Sequence, residues 1–122
     1  MNKILIVEDE PQIRQILKDL LSQQGYEIIE AGDGKTGFEQ FLQNIGQVQL
    51  IITDIAMPMM TGVELEKRIH ALLPEIKMIA LTGSVDVHEE RNYLEDRFDK
   101  VIQKPFDFKS LVSSITNTLD GN

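Results

Sequence analysis

The chain has 122 residues, 42% of them hydrophobic and 26% charged, so we expect one globular domain, 1–122, with a well-formed core. A formal net charge of −8 argues against direct binding of nucleic acid, because phosphate contacts need clustered Lys and Arg. The absence of Cys excludes a disulfide framework and a thiol nucleophile. No apolar run is long enough to span a membrane, so we expect no membrane among the partners. No signal-peptide cleavage region follows Met1, so we expect a cytoplasmic protein.

Short apolar runs alternate along the chain with segments of helical periodicity. The strands are predicted at 4–7, 26–30, 50–54, 78–81 and 101–102. This order of five βα units predicts an α/β fold, a doubly wound five-stranded parallel sheet in the order 2-1-3-4-5 with five helices, of the flavodoxin-like type. The side chains expected on the inner faces of the helices are Ile13, Ile16, Leu17, Leu20 and Leu21, then Phe38, Phe41, Leu42 and Ile45, then Leu65, Ile69, Leu72 and Leu73, and finally Phe108, Leu111, Val112, Ile115 and Leu119.

Local signals mark the ends of several helices. Pro11 suits a first helical position, Thr61 and Glu64 have capping-box spacing, and Asp107 is a predicted N-cap. The segment 86–94 is the one poor amphipathic helix, and it is either a short solvated helix or a loosely held element that can shift. His70 and His88 match no metal spacing, so both are expected at the surface.

Polar side chains follow four of the predicted strands at their carboxyl ends. Glu8 and Asp9 follow the first strand, Asp54 ends the third, Thr82 follows the fourth and Lys104 follows the fifth. Each has an ordinary explanation alone, since Asp54 could simply cap a turn and Glu8-Asp9 could favour a helix N-terminus. In the predicted strand order the first and third strands are neighbours, so the three acids should share one pocket.

Three carboxylates in one pocket carry a charge of −3, which Lys104 reduces to −2 and one Mg²⁺ brings to zero. Carboxylate and carbonyl oxygens are the ligands that Mg²⁺ prefers, and the pocket has no Cys or His for zinc. A metal-bound acid cluster beside a Lys and a Thr hydroxyl can perform phosphoryl transfer. Asp54, on the central strand, is the best candidate for a carboxylate nucleophile, with Thr82 and Lys104 holding the phosphoryl oxygens.

The same residues belong to four motifs that together span nearly the whole chain. The motifs are Lys3-Ile4-Leu5-Ile6-Val7-Glu8-Asp9-Glu10, Asp54-Ile55-Ala56-Met57-Pro58 with Gly62, Ala80-Leu81-Thr82-Gly83, and Lys104-Pro105-Phe106. With these motifs the chain resembles the receiver domain of two-component response regulators.

The resemblance implies that Asp54 accepts a phosphoryl group from a sensor histidine kinase or a phosphotransfer protein. It implies that Mg²⁺ is bound by Asp9, Asp54 and the backbone carbonyl of Ala56, with Glu8 acting through water. It also implies that Thr82 and Lys104 contact the phosphoryl group and that the Lys104–Pro105 peptide is cis. The chain would then catalyse only its own phosphorylation and dephosphorylation. Its fourth helix, fifth strand and fifth helix would form the face that an unidentified output protein or domain reads.

Three positions depart from the family pattern. Val101 stands where an aromatic ring usually lies three residues before the Lys, so the usual reporter of phosphorylation is absent, with Phe98 or Tyr93 as conceivable substitutes. Met59 replaces a usual Gly, which restricts the φ angle of its loop. The segment 94–99 replaces a small turn, so we expect an altered end to the fourth helix.

Other functions stay open from the sequence. A pseudo-receiver that binds partners without phosphorylation is one, because of Val101. A phosphohydrolase of the haloacid-dehalogenase type is another, although Ala56 stands where its second Asp belongs. A flavodoxin-like cofactor binder lacks a phosphate cradle. The small side chains of Ala56 and Ser84 predict good water access to the site, and the early end of the chain favours a stand-alone protein or an N-terminal piece.

Overall fold

The computed structural model describes residues 2–83 and 88–121, and within these ranges five strands alternate with five helices. The strands form one parallel sheet in the order β2-β1-β3-β4-β5, which confirms the predicted doubly wound, flavodoxin-like architecture. The elements are β1 Lys3–Val7, α1 Pro11–Gln23, β2 Glu27–Ala31, α2 Gly34–Gln43, β3 Val48–Asp54, α3 Gly62–Leu72, β4 Lys77–Thr82, α4 His88–Arg97, β5 Lys100–Gln103 and α5 Phe108–Leu119.

The core lies in two layers, one on each face of the sheet. Alternate residues of each inner strand point into opposite layers, so that Leu5 packs with α2, α3 and α4 while Ile4 packs with α1 and α5. Ile51 and Ile52 divide in the same way in β3, and both are fully buried. This two-sided burial explains why the inner strands read as nearly continuous apolar runs.

Side-chain caps define where three of the helices begin. Asp33 accepts a hydrogen bond from the Thr36 amide at the start of α2, and Asp107 accepts one from the Ser110 amide at the start of α5. Thr61 accepts one from the Glu64 amide at 3.2 Å, as the capping-box spacing predicts. No return bond from the Glu64 side chain to the Thr61 amide occurs among the described residues, so that half of the prediction is wrong.

Besides Ile16, four side chains predicted on inner helix faces are instead exposed. They lie in the first or last turn of a helix or beyond its end, where neighbouring elements cover less of the helix although the apolar periodicity continues. Their exposed fractions are 44% for Leu42, 47% for Ile45, 53% for Leu72 and 51% for Phe108. Ile16 of α1, which was also predicted to face inward, is 43% exposed.

The helix α4 extends further than the predicted segment 86–94 at its carboxyl end, and the first residues of that segment lie outside the described ranges. Leu94 and Phe98 are buried, and the Phe98 amide donates to the Leu94 carbonyl at 2.9 Å. The chain then turns directly into β5, since the Asp99 side chain accepts a hydrogen bond from the Met78 amide at 2.8 Å.

Among the helices of residues 2–83 and 88–121, none has both the length and the apolar composition needed to cross a membrane.

Candidate functional site

Three acidic side chains meet at the carboxyl edge of the sheet. Glu8 and Asp9 follow β1, and Asp54 is the last residue of the neighbouring strand β3. Carboxylate oxygens of the three residues lie within 4.8 Å of one another. Glu8 is fully buried and Asp54 is 4% exposed, whereas Asp9 is half-buried at the rim. The structure therefore brings together the three acids that the sequence assigns to one pocket.

The backbone just after Asp54 is held by two hydrogen bonds of Ile55. The Ile55 amide donates to the Leu81 carbonyl at 3.0 Å, which continues the pairing of β3 with β4 past Asp54. The Gly62 amide donates to the Ile55 carbonyl at 2.9 Å and draws the start of α3 against the strand end. A Cβ atom at Gly62 would lie 2.4 Å from the Asp54 carbonyl oxygen, so only glycine permits this approach.

Lys104 completes the pocket. Its ammonium donates to Glu8 Oε1 at 2.7 Å and to Asp54 Oδ2 at 3.2 Å. The Lys104 amide donates to the Thr82 carbonyl at 2.7 Å, and the Lys104–Pro105 peptide is cis, as the resemblance implied. We call Glu8, Asp9, Asp54 and Lys104 the acid pocket.

The acid pocket has more negative charge than its lysine can balance. Burial raises the pKa of Glu8 to about 7; the hydrogen bond from Lys104 opposes this shift, and the charge of Asp54 adds to it. Burial alone would lower the pKa of Lys104, but its hydrogen bonds and charge interactions with Glu8 and Asp54 raise it above the usual value. Burial therefore favours the neutral form of Glu8 in the absence of a bound cation.

These residues fit a magnesium ion. The donor set is made only of oxygen atoms, it comes from adjacent strand ends, and its charge exceeds that of the single lysine. Ala56, whose backbone carbonyl is the remaining predicted ligand, is exposed two residues after Asp54. Because Mg²⁺ retains several of its own waters, an open rim on one side of the acids suits it.

The side chain of Thr82 lies beside the acid pocket, which Thr82 contacts only through its backbone carbonyl among the described residues. Leu81 is the β4 partner of Asp54, so Thr82 ends the next strand one residue further along. Thr82 is 6% exposed, and within the described ranges no hydrogen bond joins its hydroxyl to Asp54 or Lys104. Among residues 2–83 and 88–121, no atom lies within 4 Å of a Cβ placed at Gly83, so these residues leave room beside Thr82. Ser84, predicted to flank the site, lies outside the described residues.

Comparison with protein-family models matches residues 4–116 to the response regulator receiver domain. The chain belongs to the response regulator receiver family. It is thus a receiver domain of two-component signal transduction, a signalling module that interacts with histidine kinases and output domains. Receivers of this family bind Mg²⁺ in an acidic pocket, which agrees with the chemistry of the acids found here.

One curated relative is similar to this receiver over its whole length. The response regulator receiver protein CpdR of Brucella abortus is 32% identical over 119 residues, which cover 98% of each chain. Several further relatives, named as transcriptional regulators and a sensor kinase, are much longer, and the receiver spans 50% or less of each.

Solved receiver structures share the fold. A response regulator receiver domain from Clostridium thermocellum has a TM-score of 0.91 at 28% identity, covering 99% of this chain and 96% of its own. The response regulator TrrA of Thermotoga maritima, solved in complex with Mg²⁺ and BeF, has a TM-score of 0.85 at 33% identity, covering 97% and 99% of the two chains.

The departures from the receiver pattern have clear structural settings. Val101 is half-buried and packs against the same core layer as Leu94 and Phe98. Phe98 is 4% exposed, whereas the Tyr93 ring is 44% exposed and lies under the Arg97 guanidinium at 4.7 Å. Met59 has a φ of 71° and is 94% exposed, so the methionine adopts the left-handed conformation that glycine would take without cost.

Sequence reasoning missed a buried ionic cluster between α3 and α4. Glu66 is 4% exposed, and its carboxylate contacts His70 Nδ1 at 2.6 Å and Arg97 Nη1 at 3.1 Å. His70 Nε2 also lies 2.9 Å from the Ile76 carbonyl, so the prediction of an ordinary surface histidine is wrong. The i,i+4 spacing of Glu66 and His70 is the signal that could have revealed it. His88 was also predicted at the surface, and that prediction falls on a side chain outside the described part of the structure.

A groove of about 340 Å³ begins at Lys104 and extends along α1. Phe106 and Phe108 contact each other with ring centroids 6.3 Å apart, and together with Ile13, Ile16 and Pro105 they give the groove an apolar lining. Ile16 and Phe108 are the side chains that were predicted to face inward. Their exposure therefore places an apolar surface directly beside the acid pocket.

Proposed function

We propose that residues 1–122 act as a single cytoplasmic receiver domain in which Asp54 is the phosphoacceptor of a two-component phosphorelay. The observation that carries the proposal is the position of Lys104, whose ammonium contacts Asp54 and Glu8 within the cluster of three acids. A lysine held at a buried carboxylate neutralises part of the charge that an incoming phosphoryl group adds. Without such a lysine, an acid at the end of a central strand could serve simply to cap a turn.

The proposed reaction is a transfer from nitrogen to oxygen. An Asp54 carboxylate oxygen attacks the phosphorus of a phosphohistidine, the phosphorus–nitrogen bond breaks, and the imidazole leaves with a proton from solvent. Bound Mg²⁺ would offset the negative charge of the acids and of the phosphoryl oxygens. Asp9, Asp54 and the Ala56 carbonyl are its proposed direct ligands, and Glu8 acts through water.

Lys104 and Thr82 are proposed to hold the oxygens of the phosphoryl group that Asp54 accepts. Lys104 already donates to Asp54 Oδ2, so a small movement would let its ammonium pair with a phosphoryl oxygen. Thr82 ends the strand beside Asp54, and the open space at Gly83 leaves room for its hydroxyl to reach the same group. The proposed output surface consists of α4, β5 and α5, with the half-buried Val101 in place of an aromatic reporter.

Labelling by a small phosphodonor tests the phosphoacceptor. The protein with Mg²⁺ and acetyl phosphate should gain one phosphoryl group by intact mass, and chelation of Mg²⁺ should prevent it. Asp54→Asn should abolish the gain, whereas Asp19→Asn, which changes an exposed acid of α1, should not. Labelling of Asp54→Asn at the parental rate would refute the assignment.

The apolar groove is the proposed contact for the phosphodonor protein. Because Asp54 is buried, a phosphohistidine reaches it only if its own domain covers the rim of the acid pocket, and the groove continues from that rim. Ile16→Asp should slow transfer from the most active of a panel of purified, autophosphorylated histidine kinases. Labelling by acetyl phosphate should stay unchanged, since the small donor does not use the groove. Equal transfer to both proteins would exclude the groove as the contact.

A further inference from the structure

We infer that Arg14 of α1 is a positioning residue for the acid pocket, which it holds through the peptide group between Glu8 and Asp9. The inference rests on the proposed function, because it concerns how the magnesium ligands are aligned. Arg14 Nη1 donates to the Glu8 carbonyl oxygen at 2.7 Å. The Arg14 side chain is 23% exposed, so solvent competes only partly for this bond.

The bonded carbonyl has a special place in the chain. A peptide group is planar, and its plane contains the Cα atoms of both residues that it joins. Holding the oxygen between Glu8 and Asp9 therefore restrains ψ of Glu8 and φ of Asp9, and so helps to set the direction in which both side chains leave the backbone. On the other side of Glu8, its own amide donates to the Ala31 carbonyl at 3.1 Å. The backbone is thus held on both sides of a proposed ligand, by β2 and by α1.

Arg14 is itself oriented by β2 and by the turn that follows it. Its Nε lies 3.5 Å from Glu30 Oε1, and the other oxygen of Glu30 lies 3.0 Å from the Lys18 ammonium. A Cβ atom at Gly32 would lie 3.3 Å from Arg14 Nη1, so the absence of a side chain there leaves room for the guanidinium. Residues of α1, of β2 and of the turn after β2 therefore all contribute to the hydrogen bond between Arg14 and the Glu8 carbonyl, which carries no net charge.

The sign of the effect on magnesium affinity separates positioning from simple electrostatics. Arg14 is positively charged and repels a cation, so loss of its charge alone predicts tighter binding of Mg²⁺. Loss of ligand alignment predicts weaker binding, and partners that orient metal ligands from outside the first shell typically contribute about 10-fold or more to affinity. The two explanations therefore predict opposite changes.

The test measures the Kd of Mg²⁺ by calorimetry on the full chain. Arg14→Gln should bind Mg²⁺ about 10-fold more weakly, and Arg14→Lys should recover part of the loss because an ammonium can donate to the same carbonyl. Lys18→Gln is the matched control, since Lys18 shares Glu30 but does not contact Glu8. Its affinity should match that of the parent. With acetyl phosphate, the Arg14→Gln protein should need more Mg²⁺ but approach the parental labelling rate at saturation.

A second variant protects the test against a folding defect. If circular dichroism shows that Arg14→Gln does not fold, Gly32→Ala tests the same bond from the turn after β2. Its Cβ would lie 3.3 Å from Arg14 Nη1 and shift the guanidinium by a few tenths of an ångström, so it should also weaken Mg²⁺ binding. Unchanged or tighter binding in a folded variant would overturn the positioning role while leaving the proposed function intact. If the parent protein bound no Mg²⁺ at all, the proposed function would fail instead.

Discussion

The acid pocket and the Glu66 cluster, formed by Glu66, His70 and Arg97, both bury carboxylates, but they balance the charge in opposite ways. In the acid pocket three carboxylates share a single lysine. In the Glu66 cluster one buried carboxylate contacts two basic side chains. A buried acid that is fully paired joins elements of the fold, whereas a surplus of buried acid requires a cation from outside. The excess charge is what identifies the first region as a binding site.

The largest expected effect comes from closing the approach between α3 and the acid pocket. In Gly62→Ala the new Cβ would lie 2.4 Å from the Asp54 carbonyl and 2.9 Å from the Ile55 Cα, and backbone atoms cannot move aside easily. The free energy of unfolding should fall by about 3 kcal/mol, with slower labelling of Asp54. Gly83→Ala is the control, because its Cβ meets no atom of the described part of the chain within 4 Å, and stability should change by less than about 0.5 kcal/mol.

A smaller loss is expected when the Glu66 cluster is broken. Glu66→Gln removes the charge between His70 and Arg97, which are themselves partly exposed, so the loss should be about 2 kcal/mol in urea denaturation. Glu64→Gln changes an exposed acid of the same helix and should have little effect. If the two regions are separate, the labelling rate of Asp54 stays parental in Glu66→Gln. A large drop in that rate would show that the regions are coupled.

The acid pocket should make the metal-free protein less stable as the pH rises. A carboxyl whose pKa is raised from 4.5 to about 7 stabilises the folded state while it is protonated. This contribution is complete below about pH 4.5 and is lost as the pH rises through about 7. Glu8→Gln should flatten the dependence, and Mg²⁺ should restore stability at high pH. If the stability of Glu8→Gln fell just as steeply with pH, the pH dependence would come from another titrating group.

The smallest expected effect is a gain of stability in the loop between β3 and α3. Met59 has a φ of 71°, which costs an L-residue about 1–2 kcal/mol. Met59→Gly relieves that strain but makes the unfolded chain more flexible, so thermal denaturation should show a net gain of about 0.5 kcal/mol. Met59→Ala keeps the strain and should match the parent. A loss of stability in Met59→Gly would mean that the exposed methionine makes contacts that outweigh its strain.

The contrast between the two regions also explains what could be predicted from the sequence. Glu8, Asp54 and Lys104 were predictable neighbours because each follows a strand of a parallel sheet, and parallel strands end at one edge. Arg97 joins Glu66 across 31 positions of sequence, and Arg14 reaches a backbone carbonyl, so neither contact has a local pattern. Leu72 and Phe108 were wrongly predicted to be buried, because apolar periodicity does not show where the packing of neighbouring elements against a helix ends.

The central claim is that Asp54 carries the phosphoryl group, and the most direct measurement is to locate that group chemically. The protein is treated with Mg²⁺ and acetyl phosphate, reduced with borohydride to convert an acyl phosphate of aspartate into homoserine, and digested for mass spectrometry. We expect homoserine in place of the aspartate in the peptide that contains Thr53 and Ile55, and none when Mg²⁺ is chelated. Homoserine at Asp9 or another acid, or a phosphoryl group that resists borohydride, would contradict it.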